Sequence, residues 1–350
     1  MRTILVTTGT SLLSNIKKEL KVEKPNEAQL GNFLAHADPA KACAETNSLS
    51  RMLEEGDRLV FLRSQTKEGK LCAEALARHY RGRGHEAEVV EVKDLTYKES
   101  RFKMRGLRSL VSELAGLVRE ERRKGREVLL NATGGFKAEI AYATLIGLLF
   151  RVPVYYIHEA FQEIISLPSV PVGWDYSIIS DHEEFFSWMD EELRTTSEVD
   201  GKLARMSREE REEVGMLLME EEGYTFISPV GEALYEAYEA ELELPGEPVL
   251  LSGRARRTYE GLEPPERRRF DRVFLKLGRP PIRRSSSDVL GGVTDCLVFP
   301  RGHVDERTFY YEEGGKVFVC EIAKHSDGSY KKLLERGVRR EEYGDFRKWQ

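Results

Sequence analysis

The stretch EVLLNATGGFKAEIAYATLIGLL, residues 127–149, contains the transition that decides the fold. Glu127–Asn131 is a short apolar run of the length of a buried strand, and Lys137–Leu149 has the apolar spacing of a helix. Glycine and threonine separate the two, as in the turns of α/β proteins. A strand, a glycine turn and a helix in this order begin a βαβ unit, so the stretch predicts an α/β fold with a parallel sheet.

The same alternation runs through the first half of the chain. Four further apolar runs predict strands at Thr3–Thr7, Arg58–Arg63, Ala87–Val92 and Val152–Ile157. Three further helices are predicted at Lys41–Glu55, Glu68–Gly82 and Leu107–Lys124. We therefore expect a doubly wound, Rossmann-like domain over residues 1–185, with its ligand site beyond the carboxyl ends of the strands.

Composition limits the class of protein. The 350 residues are 40% hydrophobic and 33% charged, which is typical of a globular chain with a charged surface. No apolar run reaches the length of a signal sequence or a membrane span, so we expect a cytoplasmic protein with no membrane partner. The four cysteines have no metal-binding spacing, and neither a disulfide framework nor a metal site is expected.

Charge is distributed unevenly along the chain. Residues 191–250 hold 5 basic against 17 acidic residues, whereas residues 251–350 hold 22 basic against 16 acidic residues. Helices, a short apolar turn and SPVGEALYEAYEAEL predict a mostly helical, winged-helix-like domain at 186–248, which ends in a Pro-Gly linker. Arginine-rich helices and three later strands, two of them joined by a glycine hairpin turn at 312–315, predict an α+β domain at 249–350.

Two loops that follow strands are candidates for a ligand site. The first runs from Thr7 to Ser11, and the second from Asn131 to Lys137. Both offer main-chain N–H groups, hydroxyls and the start of a helix, which suit phosphate or another anion, and Lys137 adds a positive charge. Neither loop has the GxGxxG or GxxxxGK[ST] pattern, which disfavours dinucleotide redox chemistry and ATP hydrolysis.

The strings ILVTTGTSLL and LLNATGGFKAEIAYATLIG resemble the CARF domains, the CRISPR-associated Rossmann-fold sensors, over about residues 1–180. The resemblance implies a homodimer that binds a cyclic oligoadenylate, with cyclic tetra-adenylate as the expected activator. It implies the ligand-binding residues Thr8, Gly9, Thr10, Ser11, Asn131, Thr133, Gly134, Gly135 and Lys137. Weaker candidates follow the second strand, at Ser64, Gln65 and Thr66.

The segment Leu290–Lys332 resembles the core of the RelE family of messenger-RNA interferases. Arg307 stands at the family's strand arginine, Lys324 and His325 stand at its basic string, and Tyr330 stands at its tyrosine. The two lysines often found on the family's earlier strand are absent from Cys296–Pro300. The proton acceptor is therefore open among Arg301, His303 and His325.

Metal-independent RNA cleavage by the 2′-hydroxyl needs three functions: a proton acceptor, fixed positive charge at the phosphorane, and a donor for the leaving oxygen. His325 could act as base or acid, Arg307 could hold the phosphate oxygens, and Tyr330 could orient the substrate or donate a proton. Lys324, Lys331 and Lys332 would contact the RNA backbone.

These features predict a cyclic-oligoadenylate-activated endoribonuclease of type III CRISPR defence that cuts mRNA on the ribosome. One alternative is a ligand-controlled, winged-helix nucleic-acid-binding regulator, which the acidic residues 191–250 disfavour. A HEPN ribonuclease is a further alternative, but its obvious Arg–His candidate, Arg78 with His85, is interrupted by glycines. The acidic Glu220, Glu221 and Glu222 are candidates for masking the nuclease when no activator is bound.

Overall fold

The computed structural model describes residues 1–96, 105–157, 163–170, 172–290, 294–302 and 304–349. They group into two compact units. The first comprises Met1–Val172 with Arg194–Ala237, and the second Gly173–Leu193 with Tyr238–Gln350. The three predicted domains, 1–185, 186–248 and 249–350, stay predictions.

The first unit begins with alternating strands and helices. Its strands are β1 (Arg2–Thr8), β2 (Arg58–Arg63), β3 (Glu86–Glu91), β4 (Glu127–Asn131), β5 (Val154–Tyr156) and β6 (Ile165–Leu167). Its helices are α1 (Ser11–Leu20), α2 (Glu27–His36), α3 (Pro39–Ala42), α4 (Ala44–Met52), α5 (Lys67–Arg81), α6 (Leu107–Arg123) and α7 (Lys137–Leu149). The helix predicted at Lys41–Glu55 starts later, at Ala44, because Cys43 is extended and serves as its N-cap.

The six strands form one sheet in the order β3-β2-β1-β4-β5-β6. Neighbouring strands are parallel except β5 and β6, and Val6 of β1 lies opposite Phe61 of β2 on one side and Asn131 of β4 on the other. The predicted parallel α/β sheet is confirmed. The chain builds the sheet outward in one direction from β1 to β3 and in the other from β4, so the switch in strand order lies between β1 and β4.

The core of this unit lies between the sheet and helices α1, α2, α4 and α5. Apolar side chains of these helices, among them Leu12, Ile16, Leu30, Leu49 and Leu76, form one buried cluster with Ile4 and Val6 of β1 and Phe61 of β2. Burial of one such side chain contributes about 1.5–3 kcal/mol. This packing fixes the strand ends, and therefore the loops that follow them.

Residues 194–243 form a small antiparallel sheet with helices. The strands β7 (Arg194–Thr195), β8 (Leu218–Glu221) and β9 (Tyr224–Ile227) lie in the order β7-β9-β8, and the helices are α10 (Thr196–Leu203), α11 (Arg208–Gly215) and α12 (Pro229–Glu243). Thr195 and Ser207 begin α10 and α11 with capping boxes. Glu232 on α12 accepts hydrogen bonds from Arg108 at 2.7 Å and Ser112 at 2.5 Å on α6. The winged-helix assignment stays a prediction.

The second unit contains α8 (Ser177–Asp181), α9 (Glu183–Glu191), β10 (Val249–Leu251), α13 (Gly253–Glu260), α14 (Pro264–Leu277), α15 (Pro280–Ser285), β11 (Asp288–Val289), β12 (Leu297–Phe299), β13 (Glu306–Glu313), β14 (Lys316–Lys324), α16 (Ser329–Arg336), a 3-10 turn (Arg340–Glu342) and β15 (Arg347–Lys348). The sheet order is β11-β12-β13-β14-β10-β15, and only the β10–β14 pair is parallel.

The glycine turn predicted at 312–315 is confirmed as a hairpin between β13 and β14. Gly314 and Gly315 have φ of 58° and 69°, a pair of positive values that glycine adopts without strain. Phe270 and Phe274 of α14 pack with Val317 and Val319 of β14 in the core of this unit. Among the helices in the described part of the chain, none is both long and apolar enough to span a membrane.

Candidate functional sites

A pocket of about 440 Å³ opens at the switch in strand order of the first unit. The loop after β1 and the loop after β4 form its walls, because these strands are neighbours and end at the same edge of the sheet. Its lining consists of Thr8, Gly9, Thr10, Ser11, Ala44, Ser64, Thr133, Gly134, Gly135, Phe136 and Glu139. The site therefore lies where the fold class predicts a ligand.

Short-range contacts hold the two loops together. Thr7 Oγ1 donates to the Gly134 carbonyl at 2.6 Å, and the Gly9 N–H donates to Glu45 Oε1 at 2.7 Å. A methyl group on Gly9 would lie 2.6 Å from Gly135 N, and one on Gly134 would overlap Glu45 Oε1. Glycine is therefore required at both positions for the loops to approach each other.

The structure brings eight of the twelve predicted ligand residues together in this pocket: Thr8, Gly9, Thr10, Ser11, Ser64, Thr133, Gly134 and Gly135. The other four lie outside its lining. Gln65 donates to Glu91 Oε1 at 3.0 Å, Thr66 caps α5, and Asn131 is buried and donates to Ser48 Oγ at 2.7 Å. Lys137 is exposed at the first position of α7.

Two acidic residues at the pocket were not predicted. Glu139 is only 4% exposed, and burial raises its pKa to about 7 despite a hydrogen bond from the Phe136 N–H, with the charge of Glu45 adding to the rise. Glu45 is 1% exposed, and its Oε2 has no hydrogen-bond partner among the described residues. An acid at the third position of a helix is a known capping signal, which could have drawn attention to Glu139. No local signal indicates Glu45, which α4 brings in from elsewhere.

A second cluster surrounds Tyr330 in the second unit. The Tyr330 ring lies 4.4 Å from the His325 ring and 5.8 Å from the Arg307 guanidinium carbon, as measured to ring centroids. Three of the five predicted catalytic residues therefore lie together. Burial raises the pKa of Tyr330, whereas the charge of Arg307 opposes this shift.

Arg307 is buried and satisfied by the main chain. Its guanidinium donates to the carbonyls of Gly302, Val304 and Glu306, and the side chain is 4% exposed. Burial lowers its pKa, although the neighbouring acids and Tyr330 oppose this. In this conformation the guanidinium is held by these three carbonyls, so it would need to exchange them for new partners to bind a phosphate.

The remaining predicted catalytic residues are engaged in ion pairs. Lys324 Nζ lies 2.5 Å from Glu266 Oε1, and this hydrogen bond raises the lysine pKa. Arg301 Nη2 donates to Ser177 Oγ at 2.8 Å and lies 3.5 Å from Asp175 Oδ2. His303 lies outside the described residues.

Asp181 is a neighbour of this cluster that was not predicted. Burial raises the pKa of its carboxyl to about 7, although the charges of Lys276, Arg301 and Arg307 oppose the rise. Its Oδ1 is buried without a hydrogen-bond partner among the described residues, and a methyl group on Gly302 would lie 2.9 Å from its Oδ2. The carboxyl therefore faces the loop that Arg307 holds.

Within the described part of the chain, no three His, Cys, Asp or Glu side chains are grouped so that they could hold a metal ion. The Arg78–His85 pair does not form a helical motif. Arg78 lies on α5 and pairs with Glu27 at 2.8 Å, whereas His85 follows the end of that helix.

Comparison with known proteins gives one family and two solved structures. Residues 40–170 match the model of a family described as CRISPR-associated protein (Cas_APE2256). The structure is similar to protein VC1899 from Vibrio cholerae, with 10% identity and a TM-score of 0.29 over 68% of this chain and 65% of that one. It is also similar to Can2 from Sulfobacillus thermosulfidooxidans in complex with cyclic tetra-adenylate, with 13% identity and a TM-score of 0.26 over 69% of this chain and 66% of that one.

The chain thus spans slightly less than two thirds of each of these solved chains, and TM-scores this low carry no argument about function. The family match covers less than half of the chain, but it includes α4, β2, α5, β4 and α7, the elements that carry Glu45, Ser64 and the second pocket loop. The part of the pocket that these elements build is therefore similar to a CRISPR-associated family, whereas β1 and the loop that follows it lie outside the matched residues.

Proposed function

We propose that this chain is a cyclic-oligoadenylate-activated endoribonuclease of type III CRISPR defence, with its sensor in the first unit and its nuclease in the second. One observation carries the proposal: the two loops that resemble those of CARF sensors meet at the strand-order switch and line one pocket, and the second of these loops lies within the stretch similar to a CRISPR-associated family. The expected activator is cyclic tetra-adenylate, bound by a homodimer of the sensor.

The nuclease proposal rests on the order of residues in the RelE-like segment and on the cluster around Tyr330. His325 is exposed beside Tyr330, where it can accept the 2′-hydroxyl proton of an RNA or return a proton to the leaving oxygen. Arg307 and Arg301 would bind the scissile phosphate, and Lys324 would contact the RNA backbone. The reaction is metal-independent in this proposal.

The contacts of Arg307 and Lys324 support a ribosomal partner. Arg307 is held by three carbonyls, and Lys324 is held by Glu266, so neither cation is free to bind RNA in this conformation. A complex that orders mRNA and releases Arg307 from the Gly302 and Val304 carbonyls would supply what this cluster lacks by itself. We therefore expect mRNA on the ribosome to be cut faster than naked RNA.

The proposed switch uses the segment that precedes the nuclease elements. Ser177 Oγ accepts a hydrogen bond from Arg301 and donates one to Asp175 Oδ1 at 2.5 Å. The arginine that would bind phosphate therefore already has a serine and an acid as partners. Lys276 anchors this segment, since its Nζ donates to the Ser180 carbonyl at 2.8 Å and pairs with Glu183 at 2.8 Å. Activation would then be a population shift in which ligand favours the state without these contacts. Masking by Glu220, Glu221 and Glu222 stays a separate, untested possibility.

The second candidate function is a ligand-controlled nucleic-acid-binding regulator without catalysis. The order of two helices, a hairpin and a helix at residues 196–243 favours it. The excess of acidic residues over 191–250 disfavours it, since phosphate contacts need lysine or arginine. Tight binding of duplex DNA in a gel-shift assay, without RNA cleavage, would favour this second function.

RNA cleavage by the purified full-length protein tests the proposal. It should be measured with and without cyclic tetra-adenylate, each with and without programmed ribosomes. We expect cleavage to require both additions and to be lost in His325→Ala, at an exposed position, and in Arg307→Ala. Lys348→Ala, at an exposed residue of the edge strand β15, is the matched control and should cleave normally. Ligand binding without cleavage in any condition would reject the nuclease and keep the sensor.

A further inference from the structure

The sensor pocket contrasts with a phosphate site in its charge. Its lining residues include hydroxyls, glycines and one carboxyl, but no lysine or arginine among the described residues. Lys137, the cation that the sequence placed there, is exposed and outside the lining. A phosphate bound in this pocket would therefore lack a charged donor from the chain itself.

The start of α7 is already occupied by an acid of the same helix. Glu139 stands at the third position of α7, and Gly135 comes so close to Glu139 Oε2 that any side chain at that position would overlap it. The partial positive charge of the helix N-terminus thus acts on Glu139 rather than on a ligand anion. Glu45 adds a second buried acid from α4, since a methyl group on Gly134 would overlap its Oε1.

We propose that Glu139 is a specificity residue of the sensor, and that it accepts a hydrogen bond from the nucleoside part of the ligand, either the exocyclic amine of adenine or a ribose hydroxyl. A carboxylate has about four acceptor positions, and one N–H from Phe136 leaves room for a ligand donor. The phosphates then lie away from this corner of the pocket. This inference rests on the proposed cyclic-oligoadenylate sensor.

The charge of Glu139 has opposite effects on affinity when it faces a hydrogen-bond donor and when it faces a phosphate. Glu139→Gln keeps the shape and removes the charge. If the group accepts from an amine or hydroxyl, the variant should bind cyclic tetra-adenylate about 3- to 10-fold more weakly, because a charged acceptor makes the stronger hydrogen bond. If phosphate faces Glu139 instead, the same variant should bind more tightly, since a repulsive charge is gone.

The measurement is calorimetric titration of the full-length protein at pH 7.5 with three probes: cyclic tetra-adenylate, the cyclic tetra-inosinate that lacks the amine, and the 2′-deoxy analogue. The amine as donor predicts that Glu139→Gln changes the affinity for the adenylate but not for the inosinate. The hydroxyl as donor predicts that only the deoxy analogue becomes insensitive. Glu27→Gln, an exposed acid on α2, is the control and should leave every affinity unchanged.

The pH profile gives a second readout. As pH rises from 6 to 8, across the Glu139 pKa of about 7, the carboxyl ionises and wild-type affinity for cyclic tetra-adenylate should rise, while the Glu139→Gln profile should be flat. Tighter binding by Glu139→Gln, or wild-type affinity that falls with pH and becomes flat in the variant, would overturn the inference. Equal affinities of wild type and Glu139→Gln for all three probes would overturn it as well. No binding by wild type would reject the proposed sensor itself and this inference with it.

Discussion

The contacts of Arg301 give a quantitative test of the proposed switch. The double variant Asp175→Asn/Ser177→Ala removes both partners of this guanidinium from the segment that precedes the nuclease elements. It leaves Arg301 and the cluster around Tyr330 unchanged. If the contacts hold the resting state, cleavage without activator should rise.

The expected rise in basal cleavage depends on how exposed the contacts of Arg301 are to solvent. The Arg301–Ser177 hydrogen bond is charge-assisted, but the Arg301 side chain is 40% exposed. The bond therefore stabilises the resting state by about 1 kcal/mol. The Asp175 pair is 3.5 Å long and its acid is 63% exposed, so it adds at most about 1 kcal/mol. Loss of about 1–2 kcal/mol from the resting state corresponds to a rise of roughly 5- to 30-fold in basal activity.

The assay measures initial rates of mRNA cleavage on programmed ribosomes, with and without saturating cyclic tetra-adenylate. We expect a higher basal rate and an unchanged saturated rate. Ser187→Ala, at an exposed position of α9 in the same segment, is the control and should match wild type. Unchanged basal cleavage would refute the reasoning, and loss of the activated rate would instead place Asp175 and Ser177 in the active state.

Three further perturbations test the sites. Gly9→Ala should weaken binding of cyclic tetra-adenylate at least about 10-fold in a calorimetric titration, because the new methyl group meets Gly135 N, whereas Gly31→Ala, with open space around it, should bind normally. Asp181 has a folded pKa of about 7, above its unfolded value, so the folded state keeps the proton longer and stability falls as pH rises from about 4 to about 7. Asp181→Asn should remove up to about 1.4 kcal/mol per pH unit of that fall, as measured by urea unfolding across this range, and an unchanged slope would contradict the burial of an ionisable carboxyl. Tyr330→Phe should keep the ring contact with His325 and reduce activated cleavage only if the hydroxyl takes part, so equal rates would limit Tyr330 to positioning.

The sequence predicted the features that depend on local pattern. Strands β1 and β4 with their glycine loops could be found because buried strands and tight turns restrict residue type locally, and their meeting follows from the topology of parallel sheets. Glu45 could not be found, because only the path of α4 brings its carboxyl to Gly9. The sequence also predicts that the second loop binds an anion, but it does not show that the Glu139 carboxyl lies at the same helix start.

In the second unit, the order of Arg307, His325 and Tyr330 along the chain indicated a cluster, and the structure brings them together. The capture of Arg307 by three carbonyls could not be predicted, since it depends on where the main chain places Gly302 and Val304. The approach of Asp181 and Ser177, more than a hundred residues earlier in the chain, is a long-range contact for which the sequence contains no periodic signal.

The hydrogen bond from Gly9 to Glu45 also has a mechanical consequence. One carboxylate oxygen binds the first loop and lies against Gly134 of the second, so neither loop can move away from the other without breaking or dragging that contact. A ligand that displaces either loop without breaking this contact therefore displaces α4 as well. Movement of the pocket loops is in this way transmitted to the whole of α4.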